Sequence, residues 1–268
     1  MSSHLHRWIS GIIAVPILFA IIFYSSEIVF TAFITVIIIG AVIEYNAMVF
    51  TKELIWEKCQ TLAVAVLIPV AVFSSDFRII LAVVTFSVLS VFILFLFSIN
   101  NQSFNIMTVS KIVLGFMYIP FMLSYFILIR LSEDGILWIF YILVIAFSGD
   151  TAAFYIGKTL GKRKLIPLVS PGKTVEGTIG LFVGSVIGSL LFRYLLFPKL
   201  PVAHAVTIGL LGGILGQLGD LCESAIKRTS GMKDSGSLLI GHGGLLDRLD
   251  CLIFIAPFVY YYKYFMLA

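Results

Sequence analysis

Long apolar runs separated by short polar breaks dominate this chain. A helix that crosses the hydrocarbon core of a bilayer needs about 20 mostly apolar residues. Nine segments approach or meet that length, at about 8–24, 28–48, 60–75, 77–98, 109–130, 136–157, 175–197, 203–226 and 247–267. The third is short, and little more than Asp76 and its neighbours separates it from the fourth. The first run follows His6 and Arg7 like a signal h-region. It continues to about Tyr24 without a small-x-small cleavage site, and further spans follow, so it reads as a retained helix. The longest polar connections, about 158–174 and 227–246, leave no room for a soluble domain. The pattern predicts an all-α polytopic integral membrane protein with about nine transmembrane helices.

Composition removes the competing classes. Of the 268 residues 60% are hydrophobic and 12% charged, with a mean hydropathy of +1.09, whereas an average soluble domain carries roughly 25% charged residues. A soluble globule must cover itself with polar groups, which excludes soluble, disordered, fibrous and disulfide-scaffold readings. Cys59, Cys222 and Cys251 lie far apart and offer neither a disulfide framework nor a C-x-x-C zinc spacing. Nothing points to a nucleic-acid partner. Of the 18 Lys and Arg residues only Arg78, Arg130, Arg193, Lys199 and Lys263 fall on the side opposite the amino terminus. By the positive-inside rule the amino terminus is then cytoplasmic, and nine spans leave the carboxyl terminus outside.

The halves differ in kind. Residues 1–135 hold about five spans of Phe-, Ile- and Val-rich sequence, expected to serve as scaffold and lipid access. Residues 136–268 hold about four spans, and within 145–252 lie half of the 14 acidic residues: Asp150, Glu176, Asp220, Glu223, Asp234, Asp247 and Asp250. Ionisable groups inside spans are costly and are functional candidates by default. In the predicted topology Asp150, Glu176, Asp220, Glu223 and Asp247 all fall at the cytoplasmic membrane boundary. An ion path would need carboxylates near the midplane. A boundary cluster suits a site that joins a water-soluble substrate to a lipid headgroup, and snorkelling at helix ends accounts for single members but poorly for the set.

The spacing is helical. Asp220, Glu223, Ser224 and Lys227 fall at i, i+3, i+4 and i+7 on one face of the eighth span, and Asp247 and Asp250 at i and i+3 on the ninth. Such carboxylates repel in a low dielectric unless a cation lies between them. An all-oxygen ligand set suits Mg²⁺; the alternative is a salt-bridge cage with Lys227, Arg228 and Arg248. Glycines of the seventh and eighth spans (Gly177, Gly180, Gly184, Gly188; Gly209, Gly212, Gly213, Gly216, Gly219) follow small-xxx-small spacing and read as helix-packing positions. Gly241-His242-Gly243-Gly244 opens the ninth span, where its amides could cradle a phosphate. Ser170-Pro171-Gly172-Lys173-Thr174 ends like a nucleotide-binding P-loop, but Pro167 stands where that pattern wants Gly and no strand is expected before it. Lys173, Thr174, Lys227, Arg228 and Lys233 remain candidate phosphate contacts.

Ser224-Ala-Ile-Lys227-Arg228, then Lys233-Asp234-Ser-Gly236, then His242-Gly243-Gly244-Leu-Leu-Asp247-Arg248-Leu-Asp250 resembles the signature of the phosphatidate cytidylyltransferase (CDP-diacylglycerol synthase) family. Ser148-Gly149-Asp150-Thr151-Ala-Ala-Phe-Tyr155-x-Gly157, Ser170-Pro171-Gly-Lys173-Thr174-Val-Glu176-Gly177 and Gly219-Asp220-x-x-Glu223 resemble it too. These blocks cover roughly 148–252. Ile240 departs from the pattern, which usually has Pro before Gly-His-Gly-Gly.

The resemblance implies a reaction of CTP with phosphatidic acid that yields CDP-diacylglycerol and pyrophosphate, at the cytoplasmic face of a bacterial-type inner membrane. It implies Mg²⁺, with room for a second cation, held by Asp220 and Asp247 and completed or oriented by Asp250 and Glu223. The catalytic set is then Asp220, Asp247, Asp250, Lys227 and Lys173. Substrate contacts fall to Asp150, Lys173, Thr174, Ser224, Lys227, Arg228, Lys233, Asp234, His242, Gly243, Gly244 and Arg248. Asp150 either orients a lysine or joins the metal shell; His242 either contacts or protonates a phosphate or is a turn histidine. The resemblance also suggests a homodimer. Rival classes fit less well. A secondary transporter would show inverted repeats, a CDP-alcohol phosphotransferase would carry D-G-x-x-A-R, and a pure scaffold leaves the second half unexplained.

Overall fold

The computed structural model describes residues 16–98, 105–236, 238 and 243–267. Among them the chain is helical nearly throughout, in two units: one formed by the first 131 residues with Asp234–Asp247, the other by Ser132–Lys233 with Arg248–Ala268. Among the described residues seven helical segments are long and apolar enough to cross a membrane, so the protein is an all-α polytopic membrane protein.

The first unit begins with helix α1, described over 16–24. Helix α2 (Glu27–Val49) is started by Ser26, whose hydroxyl accepts from Val29 N and so satisfies one of the amides every helix start leaves open. Helix α3 runs Ile55–Phe73, five residues earlier than the apolar run predicts, because Trp56, Glu57 and Lys58 extend it past the apolar core. Helix α4 (Phe77–Phe97) is capped by Asp76 and buries only Ser87 and Val91 within the protein. The fifth predicted span is interrupted: α5 (Ile106–Phe116) passes through a π-turn at Met117–Phe121 before α6 (Tyr125–Leu131). Pro120 sits in that turn; lacking an N–H and crowding the carbonyl four residues back, proline loosens the ladder where it stands. Fully buried Tyr45 ties α2 to α5 by donating to the Lys111 carbonyl at 2.8 Å.

The second unit packs α7 (Gly135–Leu160), α8 (Val175–Leu196), α9 (Val202–Thr229) and α10 (Asp250–Met266) in sequence, each against the next. Small residues make this possible. A methyl group added at Gly184 would collide with Ala152 and lie 2.8 Å from the Ser148 carbonyl; at Gly209 it would lie 2.8 Å from Ser189 Cβ; at Gly216, 3.0 Å from Ile255. At Gly219 it would collide with the Asp250 carbonyl. The glycine spacing read as helix packing has that role here.

Between α7 and α8 the chain makes a hairpin that the sequence pattern does not announce. Strand β1 (Lys164–Ile166) pairs antiparallel with β2 (Ser170–Thr174), Lys164 opposite Thr174 and Ile166 opposite Ser170. A strand therefore does precede the Ser170–Thr174 motif. The motif is itself a strand, not an amide-lined loop, so the case against a P-loop rests on the missing glycine and on this geometry.

Candidate functional site

The turn from β2 into α8 builds one wall of the site. Thr174 caps α8, its hydroxyl accepting from Gly177 N at 3.1 Å. Glu176, one residue into the helix, reaches back to accept from Lys162 N (3.0 Å) and Arg163 N (3.2 Å). The hairpin is thus clamped to the helix it precedes, and Lys173 is held at its end. A cleft of about 460 Å³ opens here, lined by residues of α7, β2, α8 and α9. Asp150, Lys158, Lys173, Thr174, Gln217 and Asp220 supply its polar lining, and Ala153, Phe154 and Leu181 its apolar lining.

Lys173 Nζ meets Asp220 Oδ2 at 2.5 Å with both side chains partly exposed. Ser224, one turn on, donates to Asp220 Oδ1 at 3.3 Å. Asp150, Asp220 and Asp250 lie within one another's electrostatic reach, and Lys173 acts on the same group. Asp250 Oδ1 accepts from its following amide, Cys251 N, at 2.7 Å. Three carboxylates within electrostatic reach of one ammonium leave an excess of negative charge in this part of the second unit. The predicted face of α9 therefore divides: Asp220 looks into the cleft, while fully buried Glu223 pairs with Lys227 at 2.5 Å.

The remaining predicted residues lie in the last turn of α9 and beyond it. Arg228 holds main-chain oxygens, with Nε on the Val169 carbonyl at the hairpin turn (3.1 Å) and Nη1 on Met232 O (3.3 Å). Lys233, Asp234 and Arg248 are exposed. In the first unit, Asp247 accepts from Ser235 N (3.2 Å) and Gly244 N (3.1 Å) and organises the loop in which it sits. Gly243 takes a positive φ of 83°, a region side chains rarely visit. At Gly244 a side chain would collide with the Ser235 hydroxyl. His242 and Ile240 lie outside the described residues.

Three residues of interest escaped the sequence reading. Lys158 lines the cleft and lies near the Phe154 ring (5.8 Å); its signal was its place two turns after Asp150. Gln217, one turn before Asp220, is 7% exposed, and its Nε2 has no hydrogen-bond partner among the described residues. Being neutral, it carried no signal. Glu44 of α2 is 3% exposed and accepts from the Ser235 hydroxyl, Leu238 N and Leu246 N. Its signal was plain: an acid inside an apolar span.

Among the described residues no three His, Cys, Asp or Glu side chains form a ready metal cage. Mg²⁺ seldom needs one, since it is usually bound through one or two carboxylates together with substrate phosphates and water. An excess of aspartate oxygens beside a cleft fits that requirement.

Comparison with known proteins agrees in kind. A profile described as "Cytidylyltransferase family" matches residues 5–266. A phosphatidate cytidylyltransferase of Bacillus subtilis (strain 168) is 43% identical over 162 residues, 60% of each chain. One of Staphylococcus haemolyticus is 37% identical over 161 residues, 60% of this chain and 58% of its own. An Escherichia coli K12 protein, "Uncharacterized protein YnbB", is 45% identical over 160 residues, 58% of this chain and 53% of its own. The chain thus matches between one half and three fifths of the length of these relatives.

Proposed function

The chain belongs to the cytidylyltransferase family, and from that premise we propose that it transfers the cytidylyl group of CTP to phosphatidic acid, releasing pyrophosphate and leaving CDP-diacylglycerol in the bilayer. The observation that carries this reading is the cleft, where Asp150, Asp220 and Lys173 meet the apolar surface of Phe154 and Leu181 at one end of the helices. A phosphorylated lipid and a nucleotide triphosphate need such a border between charge and hydrocarbon.

In the reaction an oxygen of the phosphatidate monoester bonds to the α-phosphorus of CTP. The bond from that phosphorus to the bridging oxygen breaks, and pyrophosphate leaves with the electron pair. A phosphomonoester has its second pKa near ~6, so phosphatidate is largely dianionic at neutral pH and no strong general base is required. The protein's tasks are alignment and charge neutralisation. Lys173 exchanges part of its pairing with Asp220 for phosphate oxygen, and Lys158 adds a second cation at the same wall. Gln217 donates its amide N–H to the bound nucleotide or lipid headgroup. Asp220 and Asp250, with Asp150 beside them, would hold Mg²⁺. Bound there, Mg²⁺ would neutralise phosphate charge and stabilise the leaving pyrophosphate. In this reading Glu223 and Lys227 brace α9 and Arg228 fixes the hairpin. Asp247 shapes the loop that carries Gly243 and Gly244, with Lys233, Asp234, His242 and Arg248 near it in sequence.

The same reading gives nine spans, the seven apolar helices with α1 and α10 added, an amino terminus in the cytoplasm, the cleft on the cytoplasmic face of the inner membrane and a homodimeric assembly. The deciding experiment is pyrophosphate release by the purified protein in mixed micelles. Release that requires CTP, phosphatidate and Mg²⁺ together, with CDP-lipid appearing in step, is expected. A folded protein that releases none would overturn the assignment.

A further inference from the structure

We infer that Glu44, in the amino-terminal unit, is a positioning residue for Asp247: its carboxylate gathers Ser235, Leu238 and Leu246, the described residues that flank and support it. The transferase reading above gives the loop its task, and the contacts give Glu44 its own. An acid buried to 3% exposure inside an apolar helix must be compensated by hydrogen bonds or charge. Here the compensation comes from residues about 190 positions later. The Ser235 hydroxyl donates to Oε2 at 3.1 Å, Leu246 N to the same oxygen at 2.9 Å, and Leu238 N to Oε1 at 3.3 Å. One side chain thereby takes donors from near both ends of the loop.

The fit is steric as well as polar. Gly40 lies one turn before Glu44 on α2, and a methyl group there would approach Leu245 to 2.7 Å and Leu238 to 3.3 Å. A methyl group at Gly236 would lie 2.5 Å from the Glu44 carboxylate itself. Gly40 and Glu44 therefore form a socket, the glycine admitting two leucines and the glutamate receiving two amides and a hydroxyl. Its grip reaches Asp247 through one atom: the Ser235 hydroxyl that donates to Glu44 also accepts from Asp247 N at 3.3 Å, while Ser235 N donates to the Asp247 carboxylate. Glu44 touches no substrate in this reading. It fixes the rotamer of Ser235, and Ser235 and Gly244 fix Asp247.

The test compares full-length Glu44→Ala, Glu44→Gln, Ser235→Ala and Gly40→Val with the unaltered protein in detergent. The measurements are kcat and KM for CTP, the unfolding temperature, and hydrogen exchange across 234–247. Groups that orient a reacting or ligating shell typically contribute 10–100-fold. Glu44→Ala is expected to lower kcat by that factor and to speed exchange in 234–247 while the unit 2 helices keep their protection. Glu44→Gln retains an acceptor for Ser235 and Leu246 and is expected to recover most of kcat. Gly40→Val is expected to mimic Glu44→Ala without touching the carboxylate. In Glu44→Ala the further change Ser235→Ala should add almost nothing. A folded Glu44→Ala protein with kcat/KM within twofold of the original and unchanged exchange overturns the proposal. If Glu44→Ala does not fold, normal kcat/KM and unchanged exchange in Ser235→Ala overturn it instead. If the unaltered protein shows no turnover at all, the transferase reading fails separately. Exchange across 234–247 then decides on Glu44, faster exchange in Glu44→Ala than in Glu44→Gln supporting its positioning role.

Discussion

The α9 cleft and the Asp234–Asp247 loop both gather carboxylates, and they satisfy them by opposite means. Around the cleft, Asp220 is held by side chains, the Lys173 ammonium and the Ser224 hydroxyl, with Asp150 and Asp250 adding like charge. At the loop, Asp247 and, from α2, Glu44 are held by main-chain amides and one shared serine. A side chain can swing to a ligand and back, whereas an amide cannot leave without unfolding its turn. The comparison teaches that a cluster of acids is not one kind of object. Where the partners are mobile and negative charge is in excess, the acids are poised for a cation and phosphate; where the partners are backbone, the acids are architecture.

Removing Asp220 should separate the two most widely. Asp220→Ala is expected to lower kcat by about 10³-fold, the scale of losing a preorganised electrostatic contact to the reacting phosphate. It should leave the unfolding temperature nearly unchanged, because the lost ion pair with Lys173 is offset by relief of repulsion with Asp150 and Asp250. Pyrophosphate release and thermal unfolding of the same preparation check both halves. A large fall in stability would place Asp220 with the architecture.

Glu223 should behave in the reverse way. It is fully buried and paired with Lys227, and breaking a buried pair from one side costs about 3–5 kcal/mol because the partner charge is stranded. Glu223→Gln is expected to unfold at clearly lower temperature, and Glu223→Gln with Lys227→Met to recover much of the loss. If Glu223→Gln instead melts normally and loses activity, Glu223 belongs with the metal ligands that its helical spacing suggested.

Asp247 tests the loop itself. Asp247→Asn keeps one acceptor oxygen and puts an amide NH₂ in place of the other, beside the N–H groups of Ser235 and Gly244, a change of about 1–3 kcal/mol. Activity and stability are expected to fall together. Activity lost from a protein that melts at the original temperature would move Asp247 to the reacting groups and erase the contrast drawn here.

Much of this was legible in the sequence. Spans declare themselves because hydrocarbon tolerates little else, and Asp150, Asp220 and Asp250 stand out for the same reason. The hairpin Lys164–Thr174 was hidden because its strands are three and five residues long, with Pro167 directly after the first and Pro171 within the second. The interruption of the fifth span is carried by Pro120, a single residue inside an otherwise unbroken apolar run. Glu44 was available as well, as an acid within the second span, yet its meaning was not. Its three donors come from about 190 residues away, and nothing local to α2 encodes them. The sequence shows that a buried charge needs partners, and only the fold shows which.

Gln217 sharpens the comparison last, and with the smallest effect. Its Nε2 is buried at the cleft and makes no hydrogen bond within the described residues, so the folded protein bears the cost of an unsatisfied donor. Replacing it by leucine of similar volume removes that cost, and the unfolding temperature should stay level or rise slightly. If the donor is kept for a bound ligand, the same change should raise KM for CTP or phosphatidate by about tenfold, the worth of one hydrogen bond of roughly 1–1.5 kcal/mol, with kcat little altered. Stability gained while binding weakens is the mark of a polar group placed for function. Gln217→Leu with both KM values unchanged would leave the cleft defined by Asp150, Lys173 and Asp220 alone.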